Sequence, residues 1–312
     1  MFYLFAPLIL DAIITLLIII FSHNPLLITL AGAVFFILFY AQLIEPYIIT
    51  IKKVSVPIPN LKNSVKIVVI GDLQIGRHKK TAWMEDVVKR ILALQPDLVL
   101  LAGDLIFNER GSSFDEWKEL DPLKELSQKI PVAAVLGNHD YGIVDYDLKT
   151  GKIKKITSDH SEGVANALEK FGVTLLRNEL VNVKIKDQPL QIFGADDLWA
   201  EKTSWNDISL ADQNIPLIVL SHNADSLLSF PEKIKKPDLV LSGHTHGGQV
   251  RLPFIGPLGN AITKVPRAFY QGFYVRNGFP IFITKGLGES RFSMRFFFAP
   301  PEIALITLTK NG

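Results

Sequence analysis

Gly243-His244-Thr245-His246-Gly247-Gly248-Gln249, directly after the apolar run 237–242, decides how this chain is read. Two imidazoles at i and i+2 do not share a helix face, where same-side neighbours lie three or four residues apart. Between glycines they fit a tight loop at a strand end, where both rings can face neighbouring metal ions. A glycine-rich turn carrying two solvated histidines is the competing reading.

Four more loops have the same setting. Gly71-Asp72-Leu73-Gln74, Gly103-Asp104, Gly137-Asn138-His139-Asp140 and Ser221-His222-Asn223 each follow a short apolar run. Singly, such segments are commoner as turns than as sites. Five in order, each after a strand, argue for one site. The apolar runs 65–70, 97–102, 130–136, 216–221 and 237–242 read as strands buried on both faces. Segments 173–176, 191–193, 281–285 and 302–309 add further strands. Helical spacing appears at 81–94, with Thr81 as cap and Glu85 in the first turn, and at 161–171, closed by Gly172. Strands alternating with helices predict an α/β layered fold with much parallel sheet. Ligands of such sheets gather outside the carboxyl ends of the strands, where all five loops lie. The polar stretches 107–120 and 145–160 read as surface insertions near the site mouth.

The amino terminus is of another kind. Of 312 residues, 1–51 hold no Lys or Arg, and only Asp11 and Glu45 as acids. The rest carries all 33 bases against 29 of the 31 acids, a mild basicity that suits an anionic substrate or membrane surface. Apolar blocks 2–21 and 26–44, separated by Ser22-His23-Asn24-Pro25, have the length to cross a hydrocarbon core. Residues 1–51 are therefore expected to form a transmembrane helical hairpin, 52–64 an extended linker, and 65–312 the main domain. A cleaved signal peptide, a single span with an interfacial helix, and a buried helical pair are the alternatives. Asp11 should face the partner helix or an interface. Lys52 and Lys53 directly after the second block place the main domain on the cytoplasmic side by the positive-inside rule. The chain has no cysteine, which removes disulfides and thiolate chemistry. No basic stripe or aromatic-basic motif points to nucleic acid.

The candidate ligands mix carboxylates and an amide, which suit hard cations, with imidazoles, which suit later first-row ions. That mixture points to divalent metal, Mn first, with Fe, Zn, Co or Mg as alternatives.

The series of strand-end Asp, Asp, Asn-His, His and His-x-His resembles the calcineurin-like metallophosphoesterases. The resemblance spans nearly all of 65–312. It implies a layered α/β/β/α sandwich holding two metal ions. It assigns Asp72, Gln74 and His246 to the first metal, Asp104 to both, and Asn138, His222 and His244 to the second. His139 would act as general acid beside the phosphoryl group, with Asp140 orienting the loop or the imidazole. Gln74 departs from the family, which usually has histidine there. It would be a weaker neutral ligand or lie outside the coordination shell, and it is the only sequence support for the alternative of an inactive metal-holding module, the other ligands being intact. Arg77, His78 and Lys79 are expected either to contact a diphosphate or to form a solvated turn.

Within the superfamily the chain resembles the membrane-anchored bacterial branch. The segments that carry this are Gly137-Asn138-His139-Asp140-Tyr141, Gly194-Ala195-Asp196-Asp197, Lys285-Gly286-Leu287-Gly288 and Pro301-Glu302-Ile303. That branch includes the UDP-2,3-diacylglucosamine pyrophosphatases of lipid A synthesis. The implied partner is an amphipathic phosphate compound at a membrane, hydrolysed as a phosphate ester or anhydride. An aromatic tract including Phe269, Phe273, Phe292, Phe296, Phe297 and Phe298, with Arg291 and Arg295, reads as core strands or as an apolar wall for acyl chains.

Overall fold

Val65-Lys66-Ile67-Val68-Val69-Ile70 forms the strand β2 (Val65–Ile70), apolar at nearly every position because both of its faces are covered. Val68 and Ile70 point to a helical layer, and Ile67 and Val69 to a second sheet. The computed structural model describes residues 2–76, 78–108, 115–258, 262–276, 278–290, 294–297 and 299–310. Arg77, Arg291, Phe292 and Phe298 lie outside them.

The first sheet comprises β1 (Thr50–Ile58), β16 (Glu302–Lys310), β2, β3 (Leu98–Ala102), β4 (Val132–Val135) and β7 (Thr174–Leu175), in that order. Its pairings are parallel except for β2 with β16. The second runs β14 (Gly272–Arg276), β15 (Phe279–Ile283), β11 (Leu239–Ser242), β10 (Leu217–Ser221), β9 (Gln188–Ala195) and β8 (Glu179–Ile185). Between the sheets lie Ile67, Leu100, Ile192, Ile218, Leu241 and Phe282, all shielded from water. Each such side chain contributes about 1.5–3 kcal/mol of apolar burial. Helices α3 (Thr81–Ala93), α4 (Leu123–Ser127) and α5 (Ser161–Lys170) cover the first sheet. Short 3-10 turns at Asn206–Leu210 and Ala224–Ser229, with Trp205, cover the second. The architecture is the layered α/β sandwich the alternation predicts.

Two local expectations are corrected. The stretch 52–64 is not simply a linker. Thr50–Ile58 pairs over its full length with β16, because the exposed edge of that strand offers a complete ladder of partners. Its prolines are tolerated because β1 is an edge strand. The cap of α3 is Lys80, and Thr81 is its first residue. Glu119, on a neighbouring 3-10 turn, accepts from the Thr81 N–H at 2.7 Å and from its hydroxyl. A tertiary acceptor thus takes the place of a local cap.

At the amino terminus α1 (Phe2–Phe21) folds back on α2 (Pro25–Phe39), with Asn24 capping α2. The Thr15 hydroxyl donates across the pair to Ala31 O at 3.3 Å. Asp11, one turn before Thr15, is half-buried, and its Oδ2 is enclosed without a hydrogen-bond partner. α2 continues through a π turn, Tyr40–Ile44, so that 23 residues, Pro25–Tyr47, are long and apolar enough to cross a membrane. Leu8–Phe21 is a shorter apolar helix.

Candidate metal centre

Five strands deliver the site. β2 ends at Asp72 and Gln74, β3 at Asp104, β4 at Asn138 and His139, β10 at His222, and β11 at His244 and His246. All five run parallel to their neighbours in this set, β2–β3–β4 in one sheet and β10–β11 in the other, which aligns their carboxyl ends. Asp72, Gln74, Asp104, His244 and His246 all have positive φ, between 48° and 72°. Non-glycine residues adopt that region at a cost, and such strain gathers at functional sites. Gly137 permits the closest approach. A Cβ there would lie 2.3 Å from Asp104 Oδ1.

The hydrogen bonds behind the rings settle where the lone pairs point. A carbonyl oxygen can only accept. His222 Nδ1 faces Ala102 O at 2.8 Å, so it carries a proton. His244 Nε2 faces Ile262 O at 3.1 Å and must do the same. Asn138 Nδ2 donates to Ile143 O at 2.6 Å, which turns its Oδ1 inward. In the neutral rings, His222 Nε2, His244 Nδ1 and Asn138 Oδ1 are then three acceptors 3.0–3.1 Å from one another. Such a cluster needs a cation at its centre. His246 repeats the pattern. Its Nδ1 lies 3.2 Å from Gly288 O, which leaves Nε2 facing Asp72 Oδ1 at 3.6 Å. Asp72, Asp104 and His222 offer ligand atoms all within 4.8 Å of one another.

Protonation follows from this crowding. Burial, aided by the His222 charge, drives His244 down to about 3, and burial also holds His246 well below its ordinary value. Both are neutral, as ligands must be. Burial works against charge on Asp104, yet His222 and His139 hold it ionised well below the usual carboxylate range. Burial likewise opposes the His222 cation, but the Asp104 carboxylate at 3.3 Å raises it to about 10. Burial pushes Asp72 up to about 7.

Gln74 Nε2 donates to Asp104 Oδ2 at 2.9 Å, and Gln74 Oε1 is buried with no hydrogen-bond partner. An orphaned carbonyl oxygen in this cluster fits a divalent cation and wastes a hydrogen bond otherwise. His139 is half-buried at the rim, with its backbone N–H on Asp104 Oδ1 at 2.8 Å and Nδ1 on Phe107 O at 2.9 Å. Asp140 does not touch the His139 ring. Its fully buried carboxylate accepts from the N–H groups of Leu105, Ile106 and Gly137, tying the second and third loops together. It positions the loops.

The basic turn after the first loop divides. Arg77 lies outside the described residues, and His78 is half-buried. Lys79 is not a substrate contact. It is buried, 2.7 Å from Glu289, and burial lowers it to about 8. An ammonium enclosed with its own carboxylate cannot reach a diphosphate.

Several contributors went unassigned in the sequence. Asp197, after β9, is buried, and burial raises it to about 7. Its Oδ2 has no hydrogen-bond partner. A strand-end acid was the available signal. Trp199 packs edge-on against His244 at 4.5 Å, with Tyr146 stacked on it at 5.0 Å. Arg295 is fully buried and donates to Lys285 O, Gly286 O and Gly288 O, holding the loop that backs Asp72 and His246. An arginine among phenylalanines gave no hint of that.

Strand-end carboxylates, an amide and imidazoles converging on cation positions between two sheets define a metal-dependent phosphoesterase centre. Residues 65–248 match the calcineurin-like phosphoesterase model, and the chain belongs to that family. It is 29% identical over 244 residues to Phosphodiesterase YaeI of Escherichia coli, covering 78% of this chain and 82% of that one. Uncharacterized metallophosphoesterase YkuE of Bacillus subtilis is 28% identical over 281 residues, 88% of this chain and 90% of its own. UDP-2,3-diacylglucosamine pyrophosphatase LpxG of Chlamydia muridarum is 26% identical, over 86% of this chain and 91% of its own.

Proposed function

We propose that this chain is a membrane-anchored hydrolase of an amphipathic phosphate diester or anhydride, with UDP-2,3-diacylglucosamine as substrate and the acylated sugar 1-phosphate and UMP as products. The observation that carries the hydrolase reading is the convergence of His222 Nε2, His244 Nδ1 and Asn138 Oδ1 as acceptors on one point. Asp72, Gln74, Asp104 and His246 would hold a first divalent ion, and Asp104, Asn138, His222 and His244 a second, with manganese preferred. When bound, two such ions supply Lewis-acid charge for phosphoryl oxygens and lower the pKa of water.

The chain's own residues do the rest. Carbonyls behind the histidines fix their tautomers before substrate arrives. His139, half-buried and held by Phe107 O at Nδ1, would act as the general acid that gives a proton to the leaving phosphate oxygen. Water is consumed across the P–O–P bond, its oxygen ending on phosphorus. Trp199 and Tyr146 shield one side of the second position from solvent.

The substrate choice draws on the printed name of the Chlamydia relative and on the apolar hairpin of residues 1–51, read as an inner-membrane anchor that leaves the catalytic domain in the cytoplasm. Its acyl chains would remain in the bilayer while the diphosphate enters the site. A phosphodiesterase or phosphatase acting on another lipid or nucleotide is the second reading, favoured by the name of the Escherichia coli relative. A substrate panel with the detergent-solubilised full chain and manganese, followed by phosphorus NMR, decides between them. Release of UMP from UDP-2,3-diacylglucosamine supports the first. Turnover of other diesters alone supports the second, and no turnover of any phosphoester would leave a metal-holding module.

A further inference from the structure

The loop that follows the two metal histidines carries a feature the phosphoesterase chemistry does not use. After Val250 the chain forms a small antiparallel hairpin, β12 (Arg251–Leu252) and β13 (Gly256–Pro257). From Leu252 to Leu258 it reads Leu-Pro-Phe-Ile-Gly-Pro-Leu, without one charged or hydrogen-bonding side chain. Phe254, at its tip, is fully exposed, Ile255 is 69% exposed and Leu258 44%. Pro253 and Gly256 are ordinary turn residues, but between them, where a turn facing water commonly carries Asn, Asp or Ser, stand Phe254 and Ile255. Phe254 also sits at φ 64°, a left-handed conformation that is a true outlier for a bulky residue.

The hairpin is rooted on the catalytic loop. Arg251 Nη1 donates to Gly247 O at 2.8 Å, and Pro257 packs so tightly on Gly248 that a Cβ there would lie 2.5 Å from it. Its other side leads to the membrane segment. Arg251 N donates to Phe296 O at 2.9 Å, Arg295 N to Ala41 O at 2.8 Å, and Phe297 N to Glu45 Oε2 at 3.1 Å. Residues 295–297 thus lie between β12 and the end of the apolar helix. At about 4.8 Å per strand spacing, β12 runs within roughly 10 Å of the point where that helix leaves the bilayer. Leu43, Ile44, Tyr47 and Phe297 are exposed on the surface between. A soluble monomer seldom leaves such a patch uncovered.

We infer that the Phe254–Ile255 tip is a second membrane contact, inserted at the headgroup–acyl boundary of the bilayer that holds the amino-terminal hairpin, and that it keeps the lip of the metal centre at the lipid surface. This rests on the membrane-anchored reading above. The occupant is the bilayer. A protein partner would be expected to meet some polar rim on the tip, and it offers none.

The absence of cysteine makes the test direct. Phe254→Cys in the full chain, labelled with an environment-sensitive fluorophore and reconstituted in phosphatidylethanolamine–phosphatidylglycerol vesicles, should shift to the blue. It should be quenched by lipids brominated in the acyl chain. Lys62→Cys is the control. It lies beyond the far end of β1, whose nine residues run roughly 30 Å from the hairpin, and its label should respond only to aqueous iodide. Phe254→Ser with Ile255→Ser should lower turnover of a vesicle-embedded phospholipid-like substrate several-fold, with hydrolysis of soluble bis-p-nitrophenyl phosphate unchanged. Iodide quenching at 254 as strong as at 62, in chains that sediment with the vesicles, would overturn the tip contact and leave the anchor standing. Acyl-chain quenching that appears only after acylated substrate is added would overturn it too, and assign the tip to the substrate's own chains. Chains that do not sediment with vesicles at all would remove the anchored reading itself.

Discussion

The two halves of the metal centre are built on different terms. Around Asn138, His222 and His244, every ligand atom is aimed by a bond behind it to a backbone carbonyl, and two of the three are imidazoles. Around Asp72, Gln74 and His246, one imidazole is held this way. Gln74 is tied to Asp104 by its amide nitrogen, while its oxygen waits without a partner. Geometry prepared before binding costs less entropy at binding, and imidazole outcompetes a neutral amide oxygen for first-row ions. The second position should therefore fill first and hold tighter, with Asp104 coupling the two.

The sharpest way to break this picture is at the shared carboxylate. Asp104→Ala should lower phosphodiester hydrolysis by at least about 10⁴-fold, since both ions lose a ligand and water its activation. Near-normal turnover in a variant that still holds metal would end the two-ion assignment. His139→Ala should slow turnover by about 10²–10⁴-fold, the range for general acid catalysis. Metal content, measured by atomic emission, should stay close to that of the unaltered chain. Loss of metal would instead make His139 a ligand.

The asymmetry itself is tested at Gln74. Gln74→His should tighten the weaker of two manganese sites by roughly ten- to a hundredfold, the scale on which partners in a metal shell act. Gln74→Ala should weaken it less, because Asp72, Asp104 and His246 remain. Calorimetric isotherms that coincide for all three forms would take Gln74 out of the shell.

The effect of pH is smallest per step, and it is graded. Metal must displace the proton of His222, whose pKa is raised to about 10 in the metal-free chain. Apparent affinity should therefore rise with pH by about tenfold per unit through neutrality and flatten toward pH 10. Below about 7 the raised carboxyl of Asp72 adds a second competing proton, so the slope steepens. Titrations in two buffers of different ionisation enthalpy would count the protons released. A count of zero at neutral pH would mean His222 is already neutral without metal.

Much of the architecture could be read in advance because it is periodic. Val65–Ile70, Leu98–Ala102 and Leu217–Ser221 are apolar at almost every position, which only a strand covered on both faces can use. The strands that escaped notice are largely open to water. β8, β5 (Ile143–Asp147) and β6 (Lys152–Ile156) alternate polar and apolar only weakly, and each pairs in a local hairpin, β8 with β9 and β5 with β6, without a continuous apolar run to mark it.

For the site, local sequence determined which side chains stand at strand ends. Gly-Asp, Gly-Asn-His and Gly-His-Thr-His-Gly each carry their own turn and their own ligand. It also determined the apolar hairpin at the amino terminus, since twenty residues without charge leave few solvents for a helix. What only the tertiary structure decided is the use made of side chains with the same chemistry. Lys79 follows a metal loop and looks like a phosphate contact, yet Glu289, 210 positions away, draws it into the interior. Asp140 sits directly after His139, the proposed general acid, yet three backbone N–H groups from two loops claim it. Arg295 lies in an aromatic tract, yet it braces the loop behind the first metal position. A charge placed near a site by sequence acts on substrate only if no buried partner reaches it first. In a low-dielectric interior such a partner binds strongly, and it comes from parts of the chain that local sequence does not connect.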